Sequence, residues 1–412
     1  MESSPGFLMS LALRILFGIA AGGSITSTVY CGMVLVATVR FGLRRRREEA
    51  LAAQAFPPLS VLKPLHGNEA GLEENLVRYF EQDYPAAFEL LFCARHETDE
   101  GLRLARRVAD RYPGVGARFI TCGEPEFPNA KMWSLAALAR AARFETLVTS
   151  DADARVERNS LRECVKGLMD GTALESCLYI GTTQGGVAAK LDALGKSVEM
   201  TGGVLVADML EGTRFALGVT MVLRKEAFER AGGHEQLGQF WAEDFVLGNR
   251  LADRGDRVGL SSHVIGLTVP PTGFGASFRN QVRWLKSTRR SRPKGHLGTG
   301  LTFAVPYGVM GLLWGLLAGH WELGVLWLAG LCLSRWVMAV AVLRALGGTR
   351  VMAEAVLYPV RDLMGGILWA ASYWGSTLSY HGGTYQLEED GRFHRRATTS
   401  GATIEQVEAP HA

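Results

Sequence analysis

Hydrophobic and polar positions divide the chain of 412 residues into three parts. Residues 15–39 include no charged side chain, and an apolar helix needs only about 20 residues to cross the hydrocarbon core of a bilayer. Between residues 56 and 268, short apolar runs alternate with stretches in which apolar residues recur at helical spacing. From residue 297 onward, long apolar stretches return. The first and last parts therefore predict membrane helices around a central folded domain.

The central part predicts an α/β domain with a doubly wound sheet. The segment EGLRLARRVADRYPG, residues 100–114, has apolar residues on one helical face and arginines on the other. Strands that alternate with helices of this length are expected to be parallel, and such sheets bind ligands beyond the C-terminal ends of their strands. The apolar runs of strand length are residues 59–65, 88–95, 117–123 and 146–150.

Three apolar stretches follow the central domain, and the third differs from the others. Residues 297–320 carry no charge and residues 323–343 carry one arginine, so both predict membrane spans. Residues 355–380 contain the adjacent charged residues Arg361 and Asp362. If this stretch also crossed the membrane, the basic C-terminal segment would lie on the other side of the membrane from the other basic segments. We therefore expect 355–380 to lie along the interface or to re-enter the membrane.

Basic residues next to the apolar segments predict the orientation. Arginines 44–47 directly follow the first apolar segment, and basic segments beside membrane spans stay in the cytoplasm. A signal peptide would carry its basic residues ahead of a shorter apolar core. The predicted parts are an N-terminal transmembrane anchor (1–42), a basic linker (43–56), a cytoplasmic α/β domain (57–296), transmembrane or interfacial helices (297–380) and a polar cytoplasmic tail (381–412).

Composition excludes two classes of partner or site. The net charge is only +3, and no segment interleaves aromatic and basic residues, so we expect no nucleic acid partner. None of the six cysteines forms a CxxC pair, which suits a reducing compartment and argues against a structural zinc site. Neither feature indicates an oligomeric state.

Two aspartates follow the last predicted strand of the series. Asp151 and Asp153 come directly after the apolar run 146–150, and alternate residues of an extended chain point the same way. Two carboxylates that face together repel each other unless a cation lies between them. The alternative is a polar loop or a helix N-cap, since a short acidic motif alone is weak evidence for a metal site.

Two later segments also carry chemistry. Glu243 and Asp244 stand beside aromatic residues at the start of a predicted helix. They are either favoured there by the helix dipole or include a partly desolvated general base. Residues 278–295 are strongly basic around Trp284. This segment either serves membrane topology and lipid headgroups or neutralises a diphosphate.

The order of these motifs resembles that of the processive-type inverting sugar transferases. It is most similar to the ceramide glucosyltransferase family and its bacterial relatives that glycosylate hopanoid lipids, over residues 58–297. Residues 204–218, VLVADMLEGTRFALG, resemble the hopanoid branch in particular. The resemblance implies a Rossmann-like domain of the GT-A type. The other matching segments are KPLHGNEAGLEENL, RYPGVGARFITCG, NAKMWSL, SDADARV, LRKEAFERAGG and AEDFVLGNRLADRG.

The resemblance implies a donor site for a UDP-sugar. Asp151 and Asp153 match the family's second acidic motif, which implies contact with UDP and a divalent cation. Magnesium or manganese suits such an all-oxygen site. Lys131 matches a lysine of the nucleotide-binding region.

The resemblance also implies the residues of the transfer step. Asp244 matches the family's third aspartate, which implies the general base that deprotonates the acceptor hydroxyl. Arg283 and Trp284 match the final two residues of the Q/RxxRW signature, which implies a role at the diphosphate and acceptor end.

Two positions depart from the family pattern. Asn280 stands where the signature has glutamine or arginine, and its amide can still donate a hydrogen bond. The family's first aspartate should follow the second strand, where this chain has His96. We expect Glu97 or Asp99 to hold the uracil and ribose in its place, and the sequence leaves that choice open.

The implied reaction is one in-line displacement with inversion, in an integral protein of the bacterial inner membrane. The acceptor is expected to be a lipid hydroxyl, first a hopanoid polyol such as bacteriohopanetetrol and second ceramide, with diacylglycerol also open. The sugar is glucose or N-acetylglucosamine. Two rivals are a polysaccharide synthase, which needs more membrane spans, and an inactive membrane-tethered binding or scaffold protein, which the missing first aspartate favours.

Overall fold

The fold was analysed in a computed structural model that describes residues 5–49, 56–380 and 383–396. At its centre lies one eight-stranded sheet. The strands are β1 (Leu59–Pro64), β2 (Phe88–Ala94), β3 (Gly116–Thr121), β4 (Thr146–Ser150), β5 (Ala154–Arg155), β6 (Leu174–Thr182), β7 (Thr220–Arg224) and β8 (Val258–Thr268).

Some of the helices cover the faces of this sheet, and others form a separate bundle. A π-helical segment, Gly195–Glu199, joins α7 to α8. The helices are α1 (Pro5–Glu49), α2 (Leu72–Phe80), α3 (Glu100–Ala109), α4 (Ala130–Ala141), α5 (Ser160–Cys164), α6 (Lys166–Met169), α7 (Val187–Leu194), α8 (Met200–Glu211), α9 (Lys225–Arg230), α10 (Gly233–Leu237), α11 (Glu243–Asp253), α12 (Phe274–Ser291), α13 (Pro293–Thr299), α14 (Val305–Ala318), α15 (Trp321–Ala345), α16 (Val351–Ala355) and α17 (Tyr358–Ala371).

The predicted α/β fold is confirmed, with one correction to the sheet. Its order is β3-β2-β1-β4-β7-β6-β8-β5, and β1 to β4 are parallel as expected. The strand β7, however, runs antiparallel to both β4 and β6. The chain leaves β6 through α7 and α8 and re-enters the sheet beside the end of β4, where Thr220 pairs with Ser150. Because it returns without crossing the sheet, the direction of β7 is reversed.

Alternate residues of the central strand pack on opposite faces of the sheet. Val61 lies in one core with Leu76 of α2, while its neighbour Leu62 lies in a second core with Leu135 and Leu138 of α4. This alternation follows from the two-residue period of a strand. Both faces are covered by helices, so the C-terminal strand edge is the part of the sheet open to a ligand.

Two helices of the described chain, α1 and α15, are long and apolar enough to cross a membrane. The predicted span at 323–343 agrees with α15. The predicted span at 297–320 is wrong in its bounds, because α13 ends at Thr299 and α14 starts only at Val305. Pro306 lies in the first turn of α14, where its missing N–H costs no hydrogen bond. With 14 residues, α14 is about 21 Å long.

A buried ion pair explains two of the charges in the apolar stretches. The Asp362 carboxylate accepts hydrogen bonds from the backbone N–H groups of Ala304 (2.8 Å) and Val305 (2.7 Å), at the start of α14. Its other oxygen lies 3.3 Å from Nε of Arg335 in α15. Arg335 also donates to the carbonyl of Ser27 in α1, at 3.0 Å. One pair thus links α1, α14, α15 and α17.

The third apolar stretch forms a short helix. The helix α17 has 14 residues, so its length of about 21 Å is less than the 30 Å of a hydrocarbon core. Arg361 at its start pairs with Glu199 of the π-helical segment, at 2.8 Å. These contacts support the expectation that 355–380 does not cross, which stays a prediction.

The prediction of a polar tail at 381–412 is corrected for residues 383–396. Three antiparallel strands, β9 (Thr377–Tyr380), β10 (Gly383–Leu387) and β11 (Phe393–Arg395), form a C-terminal sheet. Its rings of Tyr385 and Phe393 pack on Trp241 of the α/β domain, with centroids 5.9 and 4.9 Å away. The rest of the predicted tail, 397–412, lies outside the described residues.

The predicted linker at 43–56 is also corrected in its first half. The helix α1 continues to Glu49, so residues 43–49 extend the anchor helix, and residues 50–55 lie outside the described chain. The polar arginine run does not end the helix, because arginine is a good helix former.

The Arg335–Asp362 pair provides the first test. We expect Asp362→Asn to lower stability by about 3–5 kcal/mol, because it leaves a buried guanidinium without its counter-charge. The measurement is thermal unfolding of the full chain in detergent. The double change of Arg335→Met with Asp362→Leu should unfold closer to wild type than either single change. Arg344 is exposed on α15, the helix that also carries Arg335, and Arg344→Met is the control. Equal thermal unfolding midpoints for Arg344→Met and Asp362→Asn would contradict the role of the pair.

Candidate active site

Three carboxylates converge on the ammonium group of Lys131, in the first turn of α4. Its Nζ lies 2.7 Å from Oδ1 of Asp151 and 3.5 Å from Oε1 of Glu243. The same group donates to the Gly218 carbonyl at 3.3 Å, and the Gly218 N–H donates to Asp244 at 2.6 Å. The structure thus brings together Asp151 and Asp244, which the sequence analysis selected from separate segments.

The reversed strand β7 creates this arrangement. Asp151 follows β4, and its N–H donates to the Val219 carbonyl at 3.0 Å, which fixes Gly218 beside the end of β4. A Cβ at Gly218 would lie 2.7 Å from Oδ2 of Asp244 and 3.2 Å from Nζ of Lys131. Only glycine therefore fits between the aspartate and the lysine. Asp244 itself lies in the first turn of α11, where it accepts from the Phe245 N–H at 2.8 Å.

The carboxylate of Asp153 lies in the same group and has one oxygen without a partner. Its Oδ1 is shielded from solvent, and no donor in the described chain forms a hydrogen bond to it. Burial, and after it the charges of Asp151 and Glu69, raise the pKa of Asp153 to about 7 against the opposing charge of Lys196. A buried, unpaired carboxylate beside a second carboxylate fits the binding of a cation.

The residues fit a cation that a phosphate ligand helps to hold. Within the described residues, no group of three or more His, Cys, Asp or Glu side chains is arranged to bind a metal. Mg²⁺ commonly binds one or two carboxylates together with substrate phosphates and water. Asp151 and Asp153 would supply the two carboxylates of such a shared site.

Two buried side chains of the site were missed by the sequence analysis. Lys63, at the end of β1, donates to the Asp151 carbonyl at 2.7 Å and lies 4.0 Å from the Tyr79 ring. Burial lowers the pKa of Lys63 to about 7. The phenol of Tyr179 on β6 is buried beneath the aspartates, and its pKa is raised by burial and then by Asp244, Asp153 and Asp151. A lysine inside the apolar run LSVLKPL was the available signal for the first of them.

Trp284 lies beside Lys196, whose charge acts on Asp153. Nζ of Lys196, in the π-helical segment, lies 5.2 Å from the centre of the Trp284 ring. The same lysine pairs with the buried Asp192 at 3.4 Å, and its charge opposes the shift in the pKa of Asp153. Lys196 is a further residue that sequence reasoning missed.

Arg283 lies beside the loop that leads into α11. Its guanidinium lies 5.5 Å from the centre of the Trp241 ring, two residues ahead of Glu243. Asn280, the departure from the family signature, accepts a hydrogen bond from Nε of Arg283 at 3.2 Å. The asparagine oxygen therefore holds the arginine, although we had expected its amide to act as a donor.

The candidates for the missing first aspartate are held by other partners. Asp99 caps α3 by accepting from the N–H of Gly101 at 2.8 Å, and its second oxygen accepts from the N–H of Gly67 at 2.9 Å. Glu97 pairs at the surface with Arg106. His96 lies 3.1 Å from Oε1 of Glu124. In this structure Asp99 shapes the loop after β1, and a nucleotide role for Glu97 or Asp99 stays a prediction.

The C-terminal sheet supports the loop that precedes Glu243 and Asp244. The Trp241 N–H donates to the Gly391 carbonyl at 3.2 Å, and the Phe393 N–H donates to the Gln239 carbonyl at 3.1 Å. Phe240 also forms a β-bridge with Arg392. The loop is therefore fixed by residues about 150 positions later in the chain.

Comparison with known proteins agrees with this geometry. The model of a family described as Glycosyl transferase family 21 matches residues 23–393. The chain belongs to this family. Its membership confirms the predicted resemblance to the ceramide glucosyltransferases, and with the observed sheet it confirms the GT-A-type α/β prediction. The hopanoid branch stays a prediction.

Curated relatives match part of the chain. Ceramide glucosyltransferase 1 of Caenorhabditis elegans is 28% identical over 234 residues, which are 56% of this chain and 50% of the relative. Ceramide glucosyltransferase 3 of the same organism is 24% identical over 262 residues, 63% and 56% of the two chains. The matched part therefore spans about half the length of these relatives.

One solved structure also aligns along most of the chain. A mannosyltransferase from Pyrobaculum calidifontis, in complex with GDP-mannose and Mn²⁺, is 20% identical with a TM-score of 0.49. The alignment covers 86% of this chain and 96% of the mannosyltransferase.

The unpaired carboxylate of Asp153 predicts a cation effect on stability. Without a cation, the protonated Asp153 favours the folded state below its unfolded pKa of about 3.9, and that contribution is lost as the pH rises through about 7. Mn²⁺ should therefore raise the unfolding temperature more at pH 8 than at pH 5. At 100 times its Kd the gain should be about 2.7 kcal/mol.

The matched comparison uses Asp153→Asn and Asp253→Asn, the second at an exposed site on α11. Only Asp153→Asn should lose the response to Mn²⁺, measured by thermal unfolding after treatment with EDTA. An equal response in the two variants would rule out Asp153 as a ligand.

The C-terminal sheet predicts a local effect on the loop at 239–242. Phe393→Ala removes the ring that packs on Trp241, so amide hydrogen exchange should quicken in this loop while exchange in β1 and β4 stays unchanged. His394→Ala, on the exposed face of the same strand, is the control. Unchanged exchange in Phe393→Ala would show that the sheet does not hold the loop.

Proposed function

We propose that this chain is a membrane-bound inverting glycosyltransferase that transfers a hexose from a UDP-sugar to a lipid hydroxyl. The observation that carries the proposal is the convergence of Asp151, Asp153 and Asp244 around Lys131 and Tyr179 at the C-terminal edge of the sheet. Membership of glycosyl transferase family 21 supports the same reaction class.

Asp244 acts as the general base in this proposal. Burial raises the pKa of Asp244, and Lys131 opposes that shift, so the ionised carboxylate is a stronger base than that of an exposed aspartate. It removes the proton of the lipid hydroxyl as the oxygen attacks the anomeric carbon. The bond from that carbon to the UDP oxygen breaks, UDP leaves with the electron pair, and the anomeric configuration inverts.

The donor side of the site stabilises the leaving UDP. Asp151 and Asp153 would hold Mg²⁺ or Mn²⁺, which when bound neutralises charge on the diphosphate. Burial alone would lower the pKa of Lys131, but Asp151, Glu243 and Asp244 raise it well above its ordinary value. Lys131 therefore stays protonated and can face the departing phosphate oxygens. Arg283 supplies a further cation at the rim.

The acceptor is proposed to be ceramide and the sugar glucose. Among the curated relatives are ceramide glucosyltransferases of Caenorhabditis elegans and, at 30% identity over 114 residues, of Komagataella phaffii. From the sequence, a hopanoid polyol was the first choice of acceptor and ceramide the second. These relatives support ceramide better than the hopanoid polyol. We place ceramide first, a hopanoid polyol second and diacylglycerol third, and glucose ahead of N-acetylglucosamine.

The proposed setting is the cytoplasmic face of a membrane, the inner membrane in a bacterium. The helices α1 and α15 are the two candidate spans in the described chain, and the basic residues in the last turns of α1 favour a cytoplasmic α/β domain. A lipid acceptor explains the anchoring, because its head reaches the domain while its tail remains in the bilayer.

The decisive experiment measures UDP release by purified full-length protein. UDP-glucose and UDP-N-acetylglucosamine are each combined with ceramide, a hopanoid polyol or diacylglycerol in mixed micelles. We expect turnover with UDP-glucose and ceramide, and a loss of about 10²–10⁴ in kcat for Asp244→Asn with little change in donor binding. The control is Asp253→Asn, at the exposed end of the same helix.

Each result separates the candidates. Unchanged turnover in Asp244→Asn would remove the base assignment. Donor binding without turnover for any acceptor would favour the rival reading, a membrane-tethered binding protein without catalysis.

A further inference from the structure

A second concave site lies at the end of α1 that adjoins the α/β domain. A cavity of about 390 Å³ separates the last turns of α1 from α8. Arg40, Arg44 and Arg47 lie three and four positions apart along α1, so their side chains share one helix face. The complete lining is Ala37, Arg40, Phe41, Leu43, Arg44, Arg47, Leu205, Asp208 and Met209, none of which belongs to the candidate active site.

The cavity presents excess positive charge with unmet hydrogen-bond donors. Three guanidinium groups face one carboxylate, that of Asp208, which lies 3.4 Å from Nη1 of Arg44. Nε and Nη2 of Arg44 are shielded from solvent, and no acceptor in the described chain forms a hydrogen bond to them. Nε has only a distant charge contact with Glu48, at 3.9 Å. The exposed side chains of Arg40 and Arg47 line the same cavity, so an anion that enters it meets accessible guanidinium groups as well as that of Arg44.

Apolar side chains line the cavity beside the arginines, and the centre of the Phe41 ring lies 5.5 Å from the guanidinium carbon of Arg44. These apolar residues include Phe41, Leu43, Leu205 and Met209. Leu43 is 50% exposed, and the preceding turns of α1 form the candidate membrane span, of which little is buried. The cavity therefore lies where the apolar segment ends and the arginines begin. At that depth an acyl chain and a phosphate group meet in a phospholipid.

We propose that the groove between α1 and α8 binds an anionic membrane phospholipid. Its phosphate accepts hydrogen bonds from Arg44 and is attracted by Arg40 and Arg47, while an acyl chain contacts Leu43 and Met209. Basic pockets beside membrane helices bind lipid headgroups through the same chemistry. The ligand differs from the glycosyl acceptor, and the proposal does not depend on the transferase reaction.

The test measures lipid retained by the full-length protein. Wild-type protein in detergent is titrated with phosphatidylglycerol, with phosphatidylcholine of the same chains and with inorganic phosphate, and bound lipid is counted by native mass spectrometry. We expect phosphatidylglycerol to bind at least about tenfold more tightly than phosphatidylcholine. Equal retention of the two lipids, or competition by millimolar inorganic phosphate alone, would overturn the proposal.

Matched variants locate the binding groups. Arg44→Gln should weaken phosphatidylglycerol binding by about fivefold and the triple change at 40, 44 and 47 by more than tenfold. Arg46→Gln removes the same charge from an exposed position of the same helix that does not line the cavity, and it should bind as wild type. An equal loss in Arg46→Gln would show a general effect of charge and contradict a built site. The lipid titration of wild-type protein decides the question if a variant fails to fold.

Discussion

The ammonium group of Lys131 is the contact on which the candidate site depends. Asp151 follows β4, whereas Glu243 and Asp244 begin α11, and the three carboxylates would repel one another in a partly buried site. A cation placed between them turns this repulsion into attraction, because the effective dielectric of such a site is below that of water. Asn129, which caps the helix of Lys131, also donates to Glu243 at 3.0 Å. The start of α4, the ammonium group of Lys131 and the acidic start of α11 thus form one connected unit.

The membrane bundle contributes to the same site through paired charges. The Arg335–Asp362 pair joins four helices. Arg361, which directly precedes Asp362, binds Glu199 at the end of the π-helical segment. That segment also carries Lys196, whose Nζ lies 5.2 Å from the centre of the Trp284 ring and whose charge acts on Asp153. A buried charge needs its partner at close range. The distance between the helix bundle and the candidate active site is therefore fixed by these ion pairs. The charges that interrupt the apolar stretches therefore have a structural explanation.

Local patterns predicted the parts of the fold whose causes are local. The strands β1 to β4 are apolar runs of strand length, and Asp151, Asp153 and Asp244 follow recognisable elements. Tyr179 and Lys196 could not be found in this way, because a tyrosine in an apolar strand and a lysine in a helix look ordinary until the sheet brings them to the aspartates. The direction of β7 and the folding of 383–396 against Trp241 depend on contacts between distant segments. Asp99 matched a ligand pattern, yet the N–H groups of a helix and a loop occupy its oxygens.

The pairing of the C-terminal sheet with residues 239–241 also orders events during protein synthesis. The ribosome makes α1 and the α/β domain first and the helices α14 to α17 next, and β11 follows them. Until then, the loop before Glu243 lacks the strand to which its backbone bonds. A nascent chain therefore carries an unfinished pocket, which is completed only after α14 to α17 have been made.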